Sequence, residues 1–311
     1  MRVRLVAYLG IVVVVALVAA VAWSNHRSGS GLQAVGPADP VPVYGSPERW
    51  TGPQGTTGQF VVTCTYSHSA FVDPIVHFGV ARAGHRHDFY GSKAVGARST
   101  GRSLVGTPTT CTRRTDSASY WQPTMFDHGA VVRPEEVAVY YRAAPGVPRA
   151  EVRAMPTGLA MIGGNADAQT PQAGDATGWT CGSASTLSDV PPTCDPTAPL
   201  RLVVTFPDCW DGVHLDSEDH HAHLRYSLGG RCPSTHPVHI PQLAASFKFP
   251  ISGPGHVLTL ASGSIYSAHA DFLNGWDPAG LQHEIAQCIN RGAVCNLATN
   301  REDSDLFQAV P

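Results

Sequence analysis

The stretch Gln59-Phe-Val-Val-Thr-Cys-Thr-Tyr66 is a run of β-branched and aromatic residues, the composition that is typical of a β-strand. Three more runs of this kind follow at Glu136–Arg142, Leu200–Phe206 and His256–Leu260, each bounded by Gly, Pro or Asp. Ala245-Ser-Phe-Lys-Phe249 alternates apolar and polar residues, which predicts a half-buried antiparallel strand. The globular part of the chain is therefore predicted to be mainly β.

Helix signals are few. The best is Asp277–Cys288, where Asp277 can cap the helix and a proline takes its first position. Leu281, Ile285 and Cys288 then form an apolar stripe along one face. Short strands joined by long loops rich in Gly and Pro, with no internal repeat, predict a single domain with a β-sandwich or jelly-roll-like core.

The two ends of the chain differ from this globular part. Two arginines precede an uninterrupted apolar run, which predicts that residues 1–22 are a signal peptide or a membrane anchor helix. Residues 23–58 are rich in Gly, Pro and Ser and indicate a linker. The globular β-rich domain then covers 59–296, and a polar tail covers 297–311. The positive flank places the domain outside the cytoplasm, either secreted or anchored to the cell membrane by an uncleaved first helix.

The cysteine content agrees with export. All eight cysteines follow the N-terminal segment, and an even number in an oxidising compartment indicates disulfides. No C-x-x-C pair occurs, so a zinc site of the cysteine type is not favoured. Order along the chain predicts four local bridges, although spacing alone leaves other pairings open. The predicted bridges are Cys64–Cys111, Cys181–Cys194, Cys209–Cys232 and Cys288–Cys295.

Composition excludes several classes of partner and enzyme. Only 14% of the 311 residues are charged and the net charge is −3, with no stripe of Lys and Arg, so nucleic acid is not an expected partner. The chain also lacks the G-x-S-x-G, H-E-x-x-H, P-loop and G-x-G-x-x-G motifs, and with them the common hydrolase, metalloprotease and nucleotide-binding signatures.

Three short clusters, far apart in the chain, combine imidazole with carboxylate groups. They are His85-Arg-His87-Asp88, Asp216–His223 and His269-Ala-Asp271. Histidine titrates near neutrality and is the commonest metal ligand, so a fold that joins the clusters would create a centre for proton transfer or for a divalent metal ion. In an extended segment His85 and His87 point to the same face. Asp271 could hold the tautomer of His269 or share a cation with it.

The middle cluster allows two arrangements. A helix would place Asp216, His220 and His223 on one face, whereas an extended segment would place His221, His223 and Arg225 together. Either arrangement puts a base beside carboxylates that orient it. The alternative for all three clusters is an exposed polar turn or a satisfied polar network.

Several sequence blocks recur in one known family. They are Thr109–Cys111, Ser119–Pro123, Phe206–Gly212, Asp219-His220 with His223, and His269–Trp276. These blocks resemble a family of secreted bacterial and fungal domains that is catalogued only as a domain of unknown function. The resemblance covers about residues 63–295, and its pattern contains the candidate site residues His87, Asp219, His220, His223, His269 and Asp271. His85 and His221 are less secure parts of the pattern.

What the resemblance implies about function is a role at the cell wall or on polysaccharide, because fungal members are sometimes joined to WSC-type carbohydrate-binding modules. Two functions then compete. In the first, the chain is a polysaccharide-active enzyme, a lyase or a hydrolase, whose histidines are the acid and base groups, with carboxylates or a divalent metal ion to assist them. In the second, it is a non-catalytic glycan-binding module with a structural His/Asp network. Histidines converging on an open cleft would favour the enzyme.

Overall fold

The computed structural model describes residues 58–172, 176–184 and 186–295, which form a mainly β structure with few helices. The predicted mainly-β class is thus confirmed. The predicted signal or anchor helix (1–22), the linker (23–58) except its last residue, and the polar tail (297–311) lie outside the described residues. Within the described part, no helix is long and apolar enough to cross a membrane.

Short strands dominate the described chain. They are β1 (Gln59–Ala70), β2 (His87–Gly91), β3 (Ser119–Pro123), β4 (Met125–Asp127), β5 (Ala130–Val132), β6 (Glu136–Arg142), β7 (Ala160–Gly164), β8 (Thr177–Cys181), β9 (Leu200–Thr205), β10 (Cys209–Trp210), β11 (Leu224–Arg225), β12 (Val238–His239), β13 (Gln242–Lys248), β14 (Leu258–Leu260), β15 (His269–Leu273) and β16 (Val294–Cys295). The helices are α1 (Gly101–Leu104) and α2 (Pro278–Glu284), which continues as a π-helical turn over Ile285–Ile289. Single 3₁₀ turns lie at Arg149–Glu151 and Ile265–Ser267.

Ten of these strands form one sheet in the order β7-β15-β3-β2-β1-β6-β13-β9-β8, with β16 added in parallel to β1. All the other pairs are antiparallel. The strand β1 pairs with β6 through its first half and with β2 through its second half, with a register shift between Tyr66 and His68. Such a shift bends a strand. The sheet curls until β7 contacts β9, so that the predicted β core takes the form of a nearly closed sheet.

Both faces of this sheet are covered over part of its area. The inner face carries the main core, which includes Ala270 and Phe272 of β15. A second apolar cluster with Phe89, Trp121 and Leu273 lies on the outer face. Because side chains alternate along a strand, His269 and Asp271 share the outer face with Leu273. The alternation of β15 thus sets two ionisable groups on the side away from the main core.

The strand predicted at residues 245–249 is more buried than its sequence pattern indicated. The strand β13 is antiparallel as predicted, but its residues Gln242–Phe247 are all buried rather than half-buried. Ala244 of β13 packs with Val203, and the partly buried Tyr140 and Leu187 cover this pair. The alternating sequence pattern could not show this second layer, since it comes from distant residues.

The predicted C-terminal helix is confirmed. Asp277 caps α2 by accepting a hydrogen bond from the Gly280 amide at 2.8 Å, and Pro278 is its first residue. The apolar stripe of Leu281, Ile285 and Cys288 is buried. All four predicted disulfides, Cys64–Cys111, Cys181–Cys194, Cys209–Cys232 and Cys288–Cys295, are also confirmed. Four disulfides are typical of a protein that folds outside the reducing cytosol.

Buried polar contacts connect this helix region and residues 113–116 with each other and with the sheet. The Nη2 atom of Arg113 lies 3.0 Å from Oε1 of Glu284, with side chains only 1% and 4% exposed. Trp276 donates its Nε1 hydrogen to the Tyr141 hydroxyl at 3.0 Å, and Asp116 accepts from the Tyr120 hydroxyl at 2.7 Å. Burial raises the pKa of Asp116 to about 7, against the lowering effect of its hydrogen bonds.

Replacing Glu284 by Gln should lower the free energy of unfolding by about 3 kcal/mol, because it removes a buried carboxylate from its contact with the Arg113 guanidinium. Urea titration followed by circular dichroism measures this change. The matched control is Glu151→Gln, whose side chain is 59% exposed and lies 3.8 Å from His239. It should cost less than about 1 kcal/mol. Equal losses in the two variants would contradict a buried ion pair.

Asp116 should make stability fall as the pH rises from about 4 towards 7, because its folded-state pKa of about 7 lies above the unfolded value and the folded state then binds more protons. The variant Asp116→Asn removes this contribution. Its unfolding free energy relative to the wild type should therefore rise by about 2 kcal/mol between pH 5 and pH 7. Urea titrations at pH 5, 6 and 7 measure the difference, and a constant offset would contradict the assignment.

Candidate functional site

Two histidines that are distant in sequence meet at one edge of the sheet. His87 is the first residue of β2 and His269 the first residue of β15. Both strands flank β3 and run antiparallel to it, so they are parallel to each other and begin at the same edge, near Pro123. The centroids of the two rings are 6.1 Å apart.

His85 completes a group of three imidazoles, here called the histidine cluster (His85, His87 and His269). Its ring centroid lies 4.3 Å from that of His87 and 5.0 Å from that of His269. The Nε2 atoms of His85 and His269 are 3.2 Å apart. The pairing of His85 and His87 agrees with the prediction that residues two apart share a face, and it brings in a residue that the family pattern left less secure.

Backbone carbonyls fix the tautomers of the two buried rings. His87 donates its Nδ1 hydrogen to the Val72 carbonyl at 3.0 Å, and His269 donates its Nδ1 hydrogen to the Ser267 carbonyl at 2.9 Å. Both Nε2 atoms are then left with lone pairs. Desolvation lowers the pKa of each histidine to about 3, so both rings are neutral at physiological pH.

Two buried carboxylates lie beside the histidine cluster. Asp271 places Oδ2 at 4.0 Å from the Nε2 atom of His269, so it does not hold the tautomer of that ring. Burial, followed by the nearby charge of Asp73, raises the pKa of Asp271 well above its usual value. Asp73 accepts hydrogen bonds from the amides of Ile75 and Val76 through Oδ1, both at 3.0 Å. Asp73 was missed by sequence reasoning, because no imidazole or motif accompanies it in the chain.

Two overlapping sets of these side chains could hold a cation. One is the histidine cluster and the other is Asp73, His87 and Asp271; within each set the ligand atoms lie within 4.8 Å of one another. Two further sets each include a disulfide pair, Cys209–Cys232 with His239 and Cys64–Cys111 with Asp116. A cysteine in a disulfide has no thiolate to offer a metal, so neither of these sets is a metal site.

The middle sequence cluster forms a loop of turns over residues 211–223, neither a helix nor an extended strand. The ends of the loop are joined, because β10 pairs with β11 directly before and after it. Asp219 accepts hydrogen bonds from the amides of His221 and Ala222 at 3.0 and 2.7 Å. Although burial alone would raise the pKa of Asp219, these hydrogen bonds lower it to about 2. Asp219 therefore shapes the loop as an ionised turn residue.

His220 is held by a neighbouring carboxylate. Its Nδ1 atom lies 3.0 Å from both carboxylate oxygens of Asp216, and this hydrogen bond raises the pKa of His220. The backbone at His220 has a φ of 58°, a left-handed conformation that is costly for a residue with a side chain. The pair has the i, i+4 spacing expected from a helix, but a turn forms it.

His223 occupies a different environment. It is 1% exposed, donates its Nε2 hydrogen to the Ala160 carbonyl at 2.8 Å, and places Nδ1 3.0 Å from the Ser217 hydroxyl. It is not among the described residues that line the cleft discussed next. Its contacts give His223 a role in joining the loop to β7.

A cleft of about 840 Å³ joins the histidine cluster to the 211–223 loop. This volume lies within the range of small-molecule sites. The lining includes the histidine cluster with Asp73 and Asp271, and also Asp219, His220 and His221 of the 211–223 loop. The loop 164–172 contributes further lining residues. Five of the six predicted site residues (His87, Asp219, His220, His269 and Asp271) therefore border one cleft.

Comparison with known proteins places the chain in a family without assigning a function. The family described as "Domain of unknown function (DUF1996)" matches residues 73–276, about two thirds of the chain. No curated protein and no solved structure matches. The match begins at Asp73 and ends at Trp276, so it spans the histidine cluster, both carboxylates and the 211–223 loop. The chain belongs to the family of the domain of unknown function DUF1996.

Proposed function

We propose that this chain is a cell-envelope protein, secreted or tethered by its N-terminal segment, that cleaves polysaccharide in the cleft by general acid–base catalysis. The observation that supports this most directly is convergence. Three separate segments of the chain, 73–87, 219–221 and 269–271, contribute ionisable side chains to one cleft. Burial, like charges and specific hydrogen bonds shift the pKa values of these groups, which is typical of catalytic sites.

The pair Asp216 and His220 is the best candidate for proton transfer. His220 lines the cleft with 23% of its side chain exposed, whereas the Asp216 carboxylate holds Nδ1. A histidine oriented by a carboxylate through one nitrogen can take up or release a proton at the other. Both hydrolysis and β-elimination of a glycosidic bond need such a group.

The cleft and its border suit a sugar chain. Its walls present carboxylate and imidazole groups that can form hydrogen bonds with hydroxyl groups. Val76 and His77 line the cleft, and in the same segment of the chain Phe71 and Phe78 are each 53% exposed. Exposed aromatic rings can stack on the apolar faces of sugar rings. Trp121, by contrast, is fully buried in the second apolar cluster and is not available to a sugar.

Four disulfides support an extracellular location for this activity. Cell-wall polysaccharide is the polymer that such a protein meets at the envelope, which makes it the proposed substrate class. A non-catalytic glycan-binding module is the competing function, and the following experiment separates the two.

Replacing His220 by Asn should lower polysaccharide turnover at least about 100-fold, because general acid–base catalysis typically contributes that much. Asp216→Asn should lower turnover less, since it removes only the orientation of the ring. Turnover is measured on a panel of neutral and acidic wall polysaccharides, as new reducing ends and as absorbance of unsaturated uronates. Reducing ends alone indicate hydrolysis, and both signals together indicate elimination.

The matched control is His256→Asn. His256 forms the same kind of pair, with Nδ1 at 2.7 Å from the Asp127 carboxylate and 28% of its side chain exposed, but it lies outside the cleft lining. Its turnover should equal that of the wild type. Polysaccharide binding by the wild type without any turnover on the panel would reject the enzyme and support the binding module.

His223→Ala should act on stability rather than on chemistry. It removes the hydrogen bond to the Ala160 carbonyl and leaves a small cavity beneath the loop, which should lower the free energy of unfolding by about 2 kcal/mol. Turnover per folded molecule should fall much less than in His220→Asn. A folded His223→Ala protein with turnover as low as that of His220→Asn would show that His223 belongs to the catalytic groups.

A further inference from the structure

We propose that the histidine cluster binds one divalent transition-metal ion of the zinc class through the Nε2 atoms of His85, His87 and His269, with Asp271 as an adjacent oxygen donor. This inference deepens the proposed function by giving the cleft a cofactor, and it rests on the arrangement of the donor atoms rather than on the reaction.

The spacing of the donor atoms fits a metal site. One ring nitrogen from each histidine lies within 4.8 Å of the others, and the Nε2 atoms of His85 and His269 are 3.2 Å apart. Two nitrogens of a tetrahedral zinc site, each at 2.0–2.1 Å from the ion, are separated by roughly 3.3 Å. The observed nitrogen pair therefore already stands at the distance that a shared ion would impose.

The hydrogen bonds behind the rings support the same conclusion. Histidines that bind a metal usually donate their other ring hydrogen to a carboxylate or a backbone carbonyl, which directs the lone pair to the ion. His87 and His269 do this towards the carbonyls of Val72 and Ser267. Both rings are buried, and these hydrogen bonds leave Nε2 of each ring with the lone pair that can bind a metal.

Two buried polar atoms at the site point independently to a missing ligand. Within the described part of the chain, Nε2 of His87 and Oδ2 of Asp271 have no hydrogen-bond partner, and both residues are at most 1% exposed. A hydrogen bond between His85 and His269 would explain the short distance between that pair. It would leave the other two atoms unexplained, whereas a cation at the centre of the group gives a partner to both.

The donor types decide the class of ion. Calcium and magnesium take oxygen ligands, whereas imidazole nitrogen suits zinc and its neighbours in the first transition series. Asp73 and Asp271 place carboxyl oxygens beside the same group of imidazoles. His85 is only partly buried and faces the cleft, so that a coordination position remains accessible to water or to an oxygen atom of a sugar.

The test is zinc binding to the full 311-residue chain, purified from an oxidising compartment and stripped with a chelator. Calorimetric titration with zinc chloride should give one ion per chain. Cobalt(II) used as a second probe should give the visible absorbance of a site with nitrogen ligands. Circular dichroism confirms that each sample is folded.

Three variants define the site. His85→Ala should weaken zinc binding at least tenfold and abolish the cobalt spectrum, and because His85 is only partly buried this variant should keep its fold. Asp271→Asn has the same shape as the wild type and should weaken zinc binding while shifting the cobalt bands. The control His256→Ala removes a histidine outside the cleft and should bind zinc as the wild type does.

The outcomes separate this inference from the proposed function. Less than about half an equivalent of zinc bound by the wild type, or unchanged affinity in His85→Ala, would overturn the metal site. Zinc bound as expected without any polysaccharide turnover would leave the metal site in place and reject the enzyme. Turnover by a wild-type protein that binds less than about half an equivalent of zinc would overturn the metal site and leave the enzyme in place.

Discussion

The antiparallel pairing of β2 and β15 with the strand between them is the constraint on which the rest of the cleft depends. Because both strands run opposite to β3, they are parallel to each other and their first residues share one edge. Their side chains alternate between the main core and the outer face. His87 and His269 are therefore neighbours as a consequence of register, although they are 182 positions apart in the numbering.

This arrangement has an energetic cost that the surrounding residues offset only in part. Buried imidazole and carboxylate groups lose hydration, which is why the pKa of His87 falls to about 3 and that of Asp271 rises. The main core, the second apolar cluster and four disulfides hold the strands in place around them. Side chains on a rigid framework of this kind are held in position more precisely than side chains on a flexible loop.

Local chemistry explains what could be predicted from the sequence. The strands at Gln59 and Glu136, the capped helix at Asp277 and the nearest-neighbour disulfides all depend on short-range patterns. Asp73 could not be found in this way, since it reaches the histidines only because residues 71–86 fold back over the outer face. The second layer over β13 was missed for the same reason, because Tyr140 and Leu187 that cover it come from other parts of the chain.

In the 211–223 loop the sequence pattern does not predict which histidine lines the cleft. His220 and His223 are both close to Asp219, and composition gives no reason to separate them. In the structure the two rings have different environments. His220 has a left-handed backbone conformation, with a φ of 58°, and its ring lines the cleft, whereas the ring of His223 is buried and donates a hydrogen bond to the Ala160 carbonyl. Strained backbone persists where the surrounding contacts impose it, and such positions cluster at functional sites. Here the turn built by Asp219 and the ion pair with Asp216 impose it, and the residue so constrained lines the same cleft as the histidine cluster.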